Sequence, residues 1–394
     1  MSTKQEQVDR LLKKAVEDNE VAGVNLLVIQ DGKEAYYGQA GYADMESEKP
    51  YQRDTIVRLY SMTKPVTGAA AMLLMERGQL DLGQSVEEIL PGFCNQMVWE
   101  NGKKVPVHRP MIIKDLLSMT SGMPYPYDME KPDSVEAQAV FDEIDERMYG
   151  DHPMGTVEIA NRLGQCGLTF HPGESWQYGT SADVLGAVIE CVSGKKFGTF
   201  LQEEFFEPLG MTDTGFYVPF EKQGRLAETY EKTQQGLLLC PTNHLGMMYR
   251  REKAPAFESG GAGLVSTLDD YARFAAMLME QGSYQGRRIL SPESVKFFTS
   301  SGLTPWQKEA SWRSWSSLAG YGYGNLMRIM EEPGLGWHQA WKGEYGWDGW
   351  LGTYFCNSPV NRMTILMSFQ RKDTGIITLT RQVRNVLGTD CLSD

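Results

Sequence analysis

Strand-type segments lie near both ends of this chain, with a long helix-rich stretch between them, and that arrangement limits the architecture. Gly23-Val24-Asn25-Leu26-Leu27-Val28-Ile29-Gln30 reads as a strand that enters a tight turn at Asp31-Gly32, with residues 33–41 as the return strand. Residues 351–356 and 363–369, joined by Asn357-Ser358-Pro359, read as a second, buried hairpin. Residues 5–19 carry Val8, Leu11, Leu12, Ala15 and Val16 on one helical stripe, and a last helix is expected over 376–387. From about residue 83 to 300, helical runs alternate with Pro- and Gly-rich loops, and residues 183–192 and 267–280 are the clearest helices. The pattern predicts an α/β fold of α+β type. Residues 1–80 and 300–394 would form a discontinuous domain built on an antiparallel sheet, and 81–299 a mostly helical domain. A site in the cleft between them follows naturally.

Composition removes several classes of function. The net charge is −13, which repels a polyanion, so nucleic acid is not an expected partner. No apolar run approaches the roughly 18 residues of a membrane span, and the first residues lack a signal pattern. The six cysteines are scattered with no C-x-x-C pair, so neither a zinc cluster nor a redox dithiol is expected. Together these features predict a cytoplasmic protein with reduced thiols, no metal and no cofactor.

The chemistry concentrates at Ser61-Met62-Thr63-Lys64, ahead of the apolar run Ala69-Ala70-Ala71-Met72-Leu73-Leu74-Met75. On a helix, residues three apart share a face, so the Lys64 amine can reach the Ser61 hydroxyl and act as its base. A helix start also presents free N–H groups to a developing oxyanion. The spacing alone is weak, since Ser193-Gly194-Lys195-Lys196 repeats it where a helix ends at a glycine. The residues by themselves leave Ser61 open between a nucleophile and an ordinary helix-start serine. No G-x-S-x-G or H-E-x-x-H occurs to compete.

The stretch Arg58-Leu59-Tyr60-Ser61-Met62-Thr63-Lys64-Pro65-Val66-Thr67 resembles the first motif of the serine β-lactamase and penicillin-binding superfamily. The likeness is strongest to the class C β-lactamase-like esterases, the family VIII carboxylesterases. Asp115-Leu116-Leu117-Ser118-Met119-Thr120-Ser121-Gly122, His171-Pro172-Gly173-Glu174-Ser175-Trp176-Gln177-Tyr178 and Gly260-Gly261-Ala262-Gly263-Leu264-Val265-Ser266-Thr267 follow in the family's order.

The resemblance implies a β-lactamase-like fold in which Ser61 is the nucleophile and Lys64 with Tyr178 moves its proton. Without the family, Tyr178 reads as an aromatic packed ahead of the next helix. Thr180 stands where class C β-lactamases carry Asn, and is expected to donate to a substrate carbonyl. In place of Lys-Thr-Gly the third motif reads Trp347-Asp348-Gly349, close to the esterases' Trp-Gly-Gly. These residues are expected to face substrate. Trp347 cannot hold a carboxylate as a lysine would, which favours a neutral, more apolar acyl group. Asp348 replaces a glycine, and either hydrogen-bonds substrate or repels an anionic one. The backbone N–H groups of Ser61 and Trp350 are the implied oxyanion hole. The expected activity is hydrolysis of a small-molecule ester or amide through an acyl-enzyme on Ser61. The alternatives are a β-lactamase or D,D-peptidase, acyl transfer to a small acceptor, and a non-catalytic protein that binds acyl ligands.

Overall fold

A computed structural model describes residues 3–388 of the chain. Its centre is an eight-stranded antiparallel sheet drawn from the two ends of the sequence. The strands are β1 (Gly23–Gln30), β2 (Lys33–Asp44), β3 (Lys49–Pro50), β4 (Tyr321–Gly324), β5 (Met327–Met330), β6 (Tyr345–Asp348), β7 (Tyr354–Ser358) and β8 (Met363–Ser368), and they lie in the order β4-β5-β6-β7-β8-β1-β2-β3. The N-terminal strand β1 pairs with the C-terminal β8, Leu26 opposite Met367 and Leu27 opposite Leu366. Alternation along the strands divides their side chains between two apolar layers. Val24, Leu26 and Val28, with Ile365 and Met367, meet the helices α1 (Lys4–Glu17) and α5 (Thr378–Leu387) through Val8, Leu12, Leu379 and Val383. Leu27, Phe355 and Leu366 face the other way, into the main core. Both faces are covered, which is why β1 and β8 read as apolar runs rather than alternating ones.

The helix α2 (Thr63–Glu76) crosses that second layer, with every residue from Thr63 to Leu74 buried. A helix apolar on all sides belongs in a core, and Gly68 permits the close approach: a Cβ there would lie 2.7 Å from the Asn325 carbonyl oxygen. Pro65 sits in the first turn, where its missing N–H has no intrahelical partner to lose. The helix α3 (Ser181–Ser193) packs beside α2 and ends at Gly194 with φ +67°. Lys196, the lysine of the second S-x-x-K, therefore falls beyond that helix end.

The helix α4 (Leu268–Met279), capped by Thr267, lies on the sheet although its sequence position falls within 81–299. Tyr271 meets Phe355 of β7 at 5.3 Å between ring centroids, and Asn357 Nδ2 donates to the Ala275 carbonyl at 2.9 Å. The main apolar core runs on without a break from the sheet into the residues of that middle segment. Among the described residues, no helix is long and apolar enough to cross a membrane, and five cysteines are free thiols. Cys391 lies outside the described residues.

Candidate active site

Ser61 stands in a single 3₁₀ turn, Tyr60–Met62, that runs directly into α2. Tyr60 holds φ +46°, an uncommon value for a residue with a side chain and one that costs on the order of 1–3 kcal/mol. The surrounding contacts hold it there. Leu59 N–H donates to the Leu264 carbonyl at 2.9 Å, and Thr353 Oγ1 donates to the Leu59 carbonyl at 3.0 Å. The Tyr60 ring is wedged against Trp350 at 5.0 Å and His244 at 5.7 Å.

One turn on, Lys64 is fully buried, and its Nζ lies 3.2 Å from Ser61 Oγ, 3.1 Å from Tyr125 Oη and 2.8 Å from the Gly261 carbonyl oxygen. Counting protons on these partners assigns the roles. The carbonyl can only accept, so it takes one N–H, and Tyr125 Oη takes a second. A neutral amine then has its lone pair left for the Ser61 O–H, which is the arrangement a base requires. Burial pushes the Lys64 amine down to about 7, against the opposing pull of the Asp183 and Asp348 carboxylates.

Asp183, on the first turn of α3, is buried as well; Ser259 Oγ and the Gly261 N–H donate to it. Its negative charge favours the ammonium form of Lys64. An Asp183→Asn variant is therefore expected to lower the lysine further. The acidic limb of its kcat/KM profile against pH moves to lower pH by about half a unit to one unit. An unmoved limb would show that Lys64 does not feel this carboxylate.

Tyr178 lies just ahead of α3, 7% exposed, and its hydroxyl accepts the Trp347 indole N–H at 3.0 Å. Lys64 Nζ sits over the phenol ring, 4.5 Å from its centroid. Burial pushes the phenol well above its ordinary range, partly offset by hydrogen bonding to Ser61 and Trp347, so it stays protonated at neutral pH. Tyr125 is the phenol bonded to the amine, and it comes from one of the Pro- and Gly-rich loops of the middle segment, where the sequence gives it no distinguishing signal. Gly179 brings the two tyrosines together, because a Cβ there would lie 1.8 Å from the Met123 carbonyl oxygen. Their ring centroids are 5.8 Å apart.

Ser61 opens onto a cavity of about 570 Å³ whose walls include Tyr127, Trp315, Trp337, Trp347 and Trp350. Among the described residues, neither the backbone N–H of Ser61 nor that of Trp350 donates to an intramolecular acceptor. The Trp350 side chain is fixed by its indole N–H, which donates to Asp373 at 2.6 Å, and by stacking on His244 at 4.0 Å. Gly349 packs against the turn that carries Ser61, where a Cβ would meet the Leu59 carbonyl oxygen at 2.3 Å.

Asp348 lines the cavity but is held in an ion pair by the buried Arg328, so its charge is not left bare toward a substrate. Arg328 in turn lies among the rings of Tyr321, Trp347 and Tyr354. Thr180 is buried, its hydroxyl has no partner, and it does not line this cavity. The one group of three metal-donor side chains among the described residues is His108, His171 and Glu174. Its imidazoles stack face to face at 3.5 Å and are hydrogen-bonded to Glu174 and Glu100, so their in-plane lone pairs do not converge.

A serine presented to a buried amine, beside a protonated phenol and two idle backbone N–H groups, defines a serine acyl-transfer enzyme of β-lactamase-like fold. The chain belongs to the Beta-lactamase family, whose model matches residues 8–385. Protein Rv1367c of Mycobacterium tuberculosis is 32% identical over 361 residues, covering 89% of this chain and 86% of that one. Esterase EstB of Burkholderia gladioli is 28% identical over 376 residues, covering 92% and 89%. Among solved structures, EstCE1, described as a hydrolase with promiscuous acyltransferase activity, superposes with a TM-score of 0.81 at 25% identity over 98% of both chains.

Proposed function

We propose that this chain is a serine carboxylesterase acting on neutral esters with apolar acyl groups. The observation that carries the reading is the 3.2 Å contact between Ser61 Oγ and a Lys64 amine that has no ion-pair partner among the described residues. Ser61 Oγ attacks the acyl carbon and its proton passes to Lys64 Nζ. The tetrahedral oxyanion accepts the N–H groups of Ser61 and Trp350. Collapse breaks the bond to the leaving oxygen, which departs as the alcohol with a proton returned through Lys64 and Tyr178. Water then repeats the sequence on the acyl-enzyme and releases the acid.

The character of the cavity supports the choice of substrate. Four tryptophans and two tyrosines line it, and its one guanidinium, Arg328, is committed to Asp348. A carboxylate such as a penicillin carries finds no free cation there, which weighs against β-lactamase or D,D-peptidase action. The esterase relative EstB agrees with this reading. Acyl transfer to a small alcohol is a second reading, favoured by the acyltransferase activity named for EstCE1. A cytoplasmic location is part of the proposal and draws support from the free thiols of the described cysteines.

The test is intact-protein mass after brief mixing with p-nitrophenyl butyrate, n-butyl butyrate and a cephalosporin. A butyryl adduct that maps to Ser61 and decays with turnover is expected from the esters. An adduct elsewhere, or turnover of the cephalosporin alone, would sink the proposal.

A further inference from the structure

Trp347 occupies the place of the third-motif lysine, yet its polar atom is turned to Tyr178 and not left free for a substrate. The indole N–H only donates, so at 3.0 Å it claims a lone pair of the Tyr178 oxygen. The phenol proton is then excluded from that side. Ser61 and Tyr178 line one cavity, and the phenol proton is left the side that faces it.

We propose that Trp347 is a positioning residue that makes Tyr178 the acid for the leaving alcohol, by holding the phenol proton on the side of Ser61 and the scissile bond. The proposal rests on the esterase reading. When Ser61 Oγ joins the acyl carbon, the leaving oxygen is attached to that same carbon, within the sweep of the phenol O–H. The C–O bond breaks with its electron pair going to the leaving oxygen, and that oxygen takes the Tyr178 proton. The tyrosinate is stabilised by the Trp347 N–H and recovers a proton from the Lys64 ammonium above its ring.

Trp347 is built to hold this orientation. It is 1% exposed, on β6, and its partner Phe355 fixes it in the strand register. Tyr323 meets its ring edge-on at 5.1 Å and Trp315 stacks at 6.2 Å. The Arg328 guanidinium lies 5.3 Å from its centroid, and a cation over an indole face draws electron density from the ring and strengthens the N–H as a donor.

The experiment compares two esters of one acid, p-nitrophenyl butyrate and n-butyl butyrate, through kcat/KM. A p-nitrophenolate leaves without a proton, whereas an alkoxide needs one. Trp347→Phe is expected to lose about 10²-fold on the alkyl ester and less than about threefold on the p-nitrophenyl ester. Tyr178→Phe should show the same bias, and adding Trp347→Phe to it should cost less than about threefold more. Equal losses on the two esters would reduce Trp347 to packing and overturn the proposal.

A second measurement needs no turnover. In protein labelled with ¹⁵N-tryptophan, the Trp347 indole N–H signal, assigned by its absence from Trp347→Phe, is expected to move upfield in Tyr178→Phe. An unmoved signal overturns the contact. A parent that hydrolyses neither ester overturns the esterase reading, and the indole signal then decides the contact alone.

Discussion

Replacing Ser61 with alanine is expected to lower kcat on a butyrate ester by about 10⁵- to 10⁶-fold, the scale seen when a serine nucleophile is removed from a unit that acts together. No neighbouring group can take over the attack. The Ser181 hydroxyl is buried and engaged with Ser121 at 2.7 Å, and burial keeps the phenols of Tyr125 and Tyr178 protonated. The cavity and the idle N–H groups survive the change, so KM moves little and the residual rate comes from binding and the oxyanion site. Steady-state kinetics beside intact-protein mass gives the check. A variant that retained a tenth of the parent rate, or still gained a butyryl adduct, would place the nucleophile elsewhere.

The second large effect belongs to Lys64. A Lys64→Met variant keeps the length and apolar stem of a fully buried side chain and removes only the amine. Its kcat/KM is expected to fall by about 10⁴-fold or more. The parent's pH profile shows why. Below about 7 the amine is an ammonium with no lone pair, and above that value it is free to accept the Ser61 proton. Activity therefore rises with pH through a midpoint near 7 and then levels. The methionine variant should lose that rise altogether. Lys64→Arg should be as inactive, since a guanidinium stays charged across the whole range. A parent whose activity fell on going from pH 6 to pH 8 would rule out Lys64 as the base.

Periodicity made the frame of the molecule legible. The apolar run around Leu26 and Leu27, the turn at Asp31-Gly32 and the stop at Gly194 are local signals, and each matches an observed element. The Ser61 and Lys64 pairing was legible for the same reason, because it depends on one helical turn. What escaped the sequence was what depends on chain segments meeting from afar. Tyr125 looked like one more ring in a Pro-rich loop, and only the packing of Gly179 onto Met123 brings it to the amine. Asp183 looked like an ordinary acidic residue at a helix start, although its carboxylate faces Gly261 and Lys64. The pairing of Asp348 with Arg328 is a diagonal contact between β5 and β6, where Arg328 stands opposite Gly346. Nothing in a linear reading says which strands will be neighbours. The helix α4 was read correctly as a helix, but its seat on the sheet depends on Tyr271 finding Phe355.

The turn that carries Ser61 is pinned on one side by Leu264 and on the other by Thr353 and Gly349. Ser61 and Lys64 emerge early during synthesis, while β6 with Trp347 and the turn with Trp350 come hundreds of residues later. On the function proposed above, a nascent chain on the ribosome carries Ser61 without Trp347, Trp350 and the strands that pin its turn. Its reactivity would then wait on the late strands closing against that turn.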